Sequence, residues 1–300
     1  GGCITADAPF LFSVVLPEGN YRVQATLGDP AGDSTTTVKA ESRRLMLENI
    51  RTSGGAQVTR GFIVNIRTPD IAGGGRVGLK ARETGYLHWD DKLTLEFGGA
   101  RPCVSKLVIT PAPELPTLYL LGDSTVTDQP HEPWNSWGQM ITRFLKPDIA
   151  VANHAESGES IRSSLGARRV AKVLSLLRKG DFVLVQFGHN DMKDKREDAL
   201  KLYEKNLADL VREVRVRGAT PVLVTSVERK AGAKQETLGE YPATVRKVAA
   251  AEKAALIDLQ PASRTLYAAL GANLDKAFVD GTHHSNFGSY EIARCVVEGI

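Results

Sequence analysis

Leu118-Tyr119-Leu120-Leu121-Gly122-Asp123-Ser124-Thr125 sets a short apolar run directly against a small polar turn. A run of this length bounded by turn residues reads as a fully buried strand. Residues 182–186, 221–225 and 255–258 repeat the pattern, and 149–152 is a shorter candidate. Between these runs, Ile161, Leu165, Val173, Leu174 and Leu177 mark one helical face, and Leu200, Tyr203, Leu207, Leu210, Val211 and Val214 mark another. Strand and helix in alternation predict an α/β unit, a parallel sheet covered by helices on both faces. Ligands of such sheets bind outside the carboxyl ends of the strands, so the residues just after each strand are where chemistry is expected.

The sequence ahead of Leu118 is written differently. Residues 21–27, 35–40, 61–66, 92–97 and 106–109 alternate apolar and polar side chains and are rich in β-branched residues, the period-2 signal of half-buried strands. Turn clusters such as Gly28-Asp29-Pro30, Ser53-Gly54-Gly55 and Gly73-Gly74-Gly75 separate them. Short strands at close spacing without helices predict an all-β sandwich. Pro111-Ala112-Pro113-Glu114-Leu115-Pro116 then interrupts both styles, because each proline fixes φ and biases its predecessor away from helix. The expected domains are residues 1–112 and 116–300.

Three hundred residues suit two domains, and 42% hydrophobic with 24% charged residues is a globular composition. The net charge of +3 is divided almost evenly across the proline segment, so neither part is basic enough to suggest nucleic acid or an anionic membrane. No apolar run approaches the ~20 residues of a spanning helix. The opening Gly1-Gly2-Cys3, without a leader pattern, reads as a mature form or a fragment. Cys3, Cys103 and Cys295 are an odd set without metal-ligand spacing, each expected to be a small buried hydrophobe. One bridge is open to them, between Cys3 near the first strand and Cys103 near the last.

Four stretches after strands carry polar residues of catalytic type. Ser124 can simply cap a helix, or it can stand at a helix N-terminus that favours negative charge on its oxygen. Asn153-His154-Ala155-Glu156-Ser157-Gly158-Glu159-Ser160 can be a plain loop, or Gly158 can let a backbone N–H approach a substrate. Phe187-Gly188-His189-Asn190-Asp191 can be ordinary turn chemistry, or the Asn190 amide can donate to an oxyanion. Asp280-Gly281-Thr282-His283-His284 can be a metal pair, a polar loop, or a base with its orienting carboxylate.

Gly122-Asp123-Ser124, Gly158, Asn190 and Asp280-x-x-His283, in this order, are similar to the four blocks of the SGNH (GDSL-type) hydrolases, from about Leu118 onward. Gly122-Asp123-Ser124-Thr125-Val126-Thr127, Trp137-Gly138-Gln139 and 186–193 look like the rhamnogalacturonan acetylesterase group, with Thr125 where the general pattern has Leu. The resemblance implies a flavodoxin-like three-layer SGNH domain behind a galactose-binding-like β-sandwich. It implies Ser124 as nucleophile, His283 as base, Asp280 as the carboxylate, and the N–H groups of Ser124 and Gly158 with the Asn190 amide as oxyanion hole. It implies no metal or organic cofactor, an acetyl-enzyme intermediate, and acetylated plant polysaccharide or oligosaccharide as substrate, hence a secreted or periplasmic address.

His189 and Trp134 are expected at the substrate, Trp134 by stacking, and Asp128, Gln129, His131, Glu132 and Asn135 add polar loops that suit a sugar better than a lipid chain. Trp137 is expected to be packing, and His284 a partly exposed loop residue. The rivals are an SGNH enzyme on another ester, such as acetylated xylan, a small acyl ester, a lipid or a thioester, and a non-catalytic carbohydrate-binding protein. A Gly-x-Ser-x-Gly elbow, the mark of a serine α/β-hydrolase, is missing around Ser124. Nothing in the residues fixes the oligomeric state.

Overall fold

The structure is a computed structural model that describes residues 3–300; Gly1 and Gly2 of the expected first domain lie outside the described residues. Eight strands come first: β1 (Ile4–Thr5), β2 (Phe10–Val15), β3 (Gly19–Leu27), β4 (Ser34–Ala40), β5 (Arg44–Thr52), β6 (Val58–Ile66), β7 (Lys92–Gly98) and β8 (Cys103–Pro111). They form two four-stranded antiparallel sheets, ordered β1-β8-β3-β6 and β2-β7-β4-β5.

Alternation explains how these sheets share one core. Ser34, Thr36, Val38 and Ala40 of β4 are buried while the residues between them are half-exposed. Val23, Ala25 and Leu27 of one sheet and Val38, Leu93, Leu95 and Phe97 of the other belong to a single apolar cluster. Each large member contributes roughly 1.5–3 kcal/mol through burial. The alternating runs read from the sequence all lie in strands, whereas β2 and β5 gave no such signal. In β2, Leu11, Phe12 and Val15 are exposed, so its run of apolar residues has no period to detect.

Cys3 and Cys103 form a disulfide with Cα atoms 6.2 Å apart, beside the β1–β8 pair of Thr5 and Cys103. This corrects the picture of two separate buried thiols; Cys295 is free and half-buried.

The remaining strands are β9 (Thr117–Gly122), β10 (Ala150–Asn153), β11 (Phe182–Gln186), β12 (Thr220–Val224) and β13 (Ala255–Ile257). The helices are α1 (Trp137–Met140), α2 (Ile161–Gly166), α3 (Arg169–Leu176), α4 (Ala199–Val216), α5 (Tyr241–Ala251), α6 (Leu259–Leu270) and α7 (Asn286–Glu298). The strands make one sheet in the order β10-β9-β11-β12-β13, with β9–β11, β11–β12 and β12–β13 parallel. In order of appearance this is 2-1-3-4-5, the flavodoxin-like arrangement, whose reversal point lies between its first and third strands. Here those are β9 and β11, the strands that lead into Ser124 and Asn190.

The face read from Ile161 to Leu177 is split into α2 and α3, because Arg168 adopts a left-handed φ of 62° between them. Helix α4 is continuous and buries Tyr203, Leu207, Leu210, Val211 and Val214, spaced by three and four as one stripe requires. No helix among the described residues is long and apolar enough to cross a membrane.

By compactness the chain divides into two units. One holds the residues up to Thr68 with Ala81–Pro116 and Thr142–Ala152; the other holds Pro69–Lys80, Thr117–Ile141 and Asn153–Ile300. The segment Pro69–Lys80 joins the second unit through specific bonds: Gly78 N–H donates to Ala167 O at 2.8 Å, and Lys172 Nζ to Asp70 O at 2.5 Å.

Candidate active site

Strand β9 ends at Gly122, where a Cβ would lie 2.6 Å from Val126 Cγ2 and 2.7 Å from Gln186 O. Only glycine lets the chain turn this tightly against β11. Asp123, fully buried, closes the turn: its Oδ1 accepts the Thr125 N–H at 2.9 Å and the Thr125 hydroxyl at 2.8 Å, and its carbonyl accepts the N–H groups of Val126 and Thr127. Gln129 Nε2 braces the same turn by donating to Ser124 O at 2.8 Å.

Ser124 is therefore held in a turn and heads no helix, which corrects both the capping and the macrodipole readings. The next helix, α1, is capped by Ser136. The residue types that cap helices are here spent on a side-chain-closed turn. Burial opposes charge on Asp123, but the His189 ring and the Thr125 donors outweigh it and hold the carboxyl below its ordinary value.

Asp280, His283 and Ser124 are brought into line. His283 Nδ1 lies 2.7 Å from Asp280 Oδ2, and His283 Nε2 lies 2.9 Å from Ser124 Oγ. The other Asp280 oxygen accepts the N–H groups of Thr282 and His283, each at 2.7 Å. The three-residue spacing thus lets one carboxylate hold both the backbone and the ring of His283. Although burial pushes the Asp280 carboxyl up, these donors hold it below its ordinary value. A carboxylate on Nδ1 fixes the tautomer in which Nε2 can accept the seryl proton.

His284 is not the partly exposed residue expected from the sequence. It is buried, 2% exposed, with Nε2 2.8 Å from the Tyr267 hydroxyl, and burial pushes its pKa down to about 3. Tyr267 donates its hydrogen to Glu228 O, so the hydroxyl oxygen accepts from His284.

The other two expected donors stand on neighbouring loops. Gly158 has a left-handed φ of 80°, and its loop is tied to the end of β9 by Glu156 N–H donating to Gly122 O at 3.2 Å. Asn190 Nδ2 donates to Glu159 O at 3.0 Å, and Lys193 Nζ holds Asn190 Oδ1 at 2.8 Å. The amide is thereby oriented with one hydrogen used, and an amide nitrogen carries two.

His189 does not face substrate. It is 3% exposed, with Nε2 2.9 Å from Val227 O and Nδ1 3.4 Å from Asp123 Oδ2, so it supports the serine turn from within. Asp128 and Asn135 are also buried, contrary to their reading as sugar-facing residues, while Trp134, His131 and Glu132 are exposed. Trp137 is buried and donates Nε1–H to Gln186 Oε1 at 3.0 Å. The sequence reading missed the supporting roles of Asp123, Gln129 and Glu159. Among the described residues, the one group of ligating side chains close enough for a metal is Cys3, Asp29 and Cys103, whose sulfurs are already joined.

A parallel α/β sheet with a hydroxyl, imidazole and carboxylate in hydrogen-bonded series at its carboxyl end defines a hydrolase that works through a side-chain oxygen. The chain belongs to the GDSL-like lipase/acylhydrolase family, whose model matches residues 120–289, and it is a carboxylic ester hydrolase. It is 34% identical over 205 residues to a rhamnogalacturonan acetylesterase of Bacillus subtilis, covering 61% of this chain and 88% of the relative. A Bacillus subtilis protein named as an uncharacterized esterase, YxiM, is 28% identical over 303 residues, covering 96% of this chain and 73% of YxiM. The crystal structure of YxiM matches with a TM-score of 0.59 at 24% identity, over 96% of this chain and 79% of that one. An acetylxylan esterase of Geobacillus stearothermophilus shares the fold, with a TM-score of 0.51 at 22% identity, over 61% of this chain and 93% of its own.

Proposed function

We propose that this esterase removes acetyl groups from acetylated plant cell-wall polysaccharide, with rhamnogalacturonan, which the names of two Bacillus subtilis relatives state, as the substrate. The series Ser124–His283–Asp280, at 2.9 and 2.7 Å, carries the reading. Ser124 Oγ attacks the acetyl carbonyl as its proton passes to His283 Nε2. The N–H groups of Ser124 and Gly158 and the Asn190 amide stabilise the oxyanion. Its collapse expels the sugar alkoxide, which takes the proton from His283, and water then releases acetate from the acetyl-enzyme by the same route.

The choice of polysaccharide rests on the Bacillus subtilis relative at 34% identity, whose name states rhamnogalacturonan. Trp134, 40% exposed, is available to lie against a sugar face. A polymer substrate places the enzyme outside the cytoplasm, and the shared core of the two antiparallel sheets supports a sandwich-type accessory domain. The test is acetate release from acetylated rhamnogalacturonan, homogalacturonan and xylan at equal acetyl content. Rhamnogalacturonan should be deacetylated fastest; preference for xylan would transfer the substrate, and no release from any of the three would remove the polysaccharide reading.

A further inference from the structure

Lys80 lies outside the stretch that the family model matches, 40 positions before its start, yet it reaches the loop that carries Gly158. Its Nζ lies 2.6 Å from Ser157 O and 2.6 Å from Glu159 Oε1. Those two residues flank Gly158 on either side. A Cβ built on Gly158 would have Lys80 Nζ as its nearest neighbour, at 3.8 Å. The Glu159 carboxylate is 2% exposed and has Arg169 Nε as a second, more distant cation at 4.0 Å. The carbonyl of the same Glu159 accepts the Asn190 amide at 3.0 Å.

The two loop donors of the oxyanion hole thus hang on one clamped tripeptide, Ser157-Gly158-Glu159. The peptide N–H of Gly158 is fixed between the carbonyl of Ser157 and the backbone of Glu159, and the Asn190 amide takes its direction from Glu159 O. Water competes little for the buried Glu159 carboxylate, although Lys80 itself is 32% exposed, so the pair is screened less than one with both partners on the surface.

We propose that Lys80 is a positioning residue of the oxyanion hole: by clamping Ser157 and Glu159 it fixes the directions of the Gly158 N–H and the Asn190 amide. The inference rests on the oxyanion-hole reading above. Lys80 acts through other groups, so its removal should slow the acyl-transfer step without weakening substrate binding. A small misdirection of catalytic donors is enough to cost ~10- to 100-fold in rate.

The experiment is a double-mutant cycle on the full chain, with kcat and KM measured for p-nitrophenyl acetate in the wild type, Lys80→Met, Asn190→Ala and the combination. Lys80→Met should lower kcat by ~10-fold or more with KM within about twofold, and should cost less than ~3-fold in the Asn190→Ala background, since coupled residues are not additive. Because Lys80→Met leaves the Glu159 carboxylate with only the more distant Arg169 as cation, the series is repeated with Glu159→Gln added, which removes that charge and keeps the Glu159 carbonyl. A folded Lys80→Met/Glu159→Gln enzyme with wild-type kcat overturns the proposal, as does a full, additive loss in the Asn190→Ala background. An Asn190→Ala enzyme of undiminished kcat overturns the oxyanion assignment itself and the proposal with it. If Asn190→Ala is impaired and Lys80→Met is not, the proposal alone falls.

Discussion

Asp280 grips His283 twice, one carboxylate oxygen taking the ring Nδ1–H at 2.7 Å and the other the backbone N–H at 2.7 Å. Ring and main chain are therefore oriented by a single side chain. Asp280→Asn keeps the shape but offers an amide where a carboxylate stood, so the tautomer and the charge are both lost. A fall in kcat of ~10²–10⁴ is expected, with KM little changed. Since Asp280 is 48% exposed, water can replace part of its effect, and the loss should lie towards the lower end. An Asn variant with wild-type kcat would show that His283 needs no carboxylate.

Ser124→Ala should leave the fold intact and reduce acetate release below about a hundredth of wild type, since loss of a triad nucleophile costs ~10⁴-fold or more. The neighbouring hydroxyl of Thr125 cannot take over, because it is committed to Asp123 Oδ1 at 2.8 Å and accepts from Gln186 Nε2 at 2.6 Å. A folded variant that kept a tenth of the rate would remove Ser124 as nucleophile.

The Cys3–Cys103 bridge spans 100 positions of sequence. Closing so long a loop removes entropy from the unfolded chain worth up to ~4–5 kcal/mol. Cys3→Ser should lower the urea midpoint of the all-β unit, and thiol titration of unreduced, denatured wild type should find one thiol, Cys295. Three titrated thiols would show that the bridge does not form in solution.

The parallel sheet was legible because buried strand segments such as 118–121 and 183–185 are uniform apolar runs followed by polar residues. Ser124, Asn190, Asp280 and His283 were each open to a plain reading as cap, turn or loop, and it was the resemblance of their blocks, in this order, to those of the SGNH hydrolases that singled them out. What escaped was tertiary. The burial of His189 depends on Asp123 and Val227, residues 66 and 38 positions away. The turn at Ser124 is closed by the Asp123 side chain, and the same residue types would have served as a helix cap. Lys80 meets Glu159 through a segment with no strand or helix period, so nothing local announces the contact.

Asp191 should make stability fall as pH rises. Its carboxyl is pushed up to about 7, chiefly by burial, with Asp123 adding repulsion and the Ile161 N–H only partly offsetting both. Between about 4, the ordinary carboxylate value, and 7, the native state holds a proton that the unfolded chain has released. This stabilisation is complete below about pH 4 and is lost as pH rises through about 7. Asp191→Asn cannot ionise and should lose less stability than wild type between about pH 5 and 8 in urea titrations. Equal losses in the two proteins would show that Asp191 titrates as an ordinary carboxylate.

His283 and His284 are adjacent in sequence and opposite in environment, and their variants should separate catalysis from stability. His283 faces Ser124 Oγ at 2.9 Å with its side chain 29% exposed, whereas His284 is buried against Tyr267 and Phe278, their hydroxyl and ring within contact at 2.8 Å and 4.5 Å between centroids. His283→Ala should cost several orders of magnitude in kcat, as loss of a triad base does, with little change in Tm. His284→Ala leaves the buried Tyr267 hydroxyl short of a partner, a loss of ~1–3 kcal/mol before any cavity is counted. It should therefore lower Tm while keeping a working base. The sign of its pH dependence follows from burial: the ring is held at about 3 in the folded protein against 6.5 in a free imidazole. The unfolded chain binds the proton first, so the stability that neutral His284 contributes is present above about 6.5 and is lost progressively as pH falls towards 3. His284→Ala should flatten that part of the acid limb of Tm against pH, and His283→Ala should leave it in place. A His284→Ala enzyme that is as stable as wild type but without activity would move the base to His284.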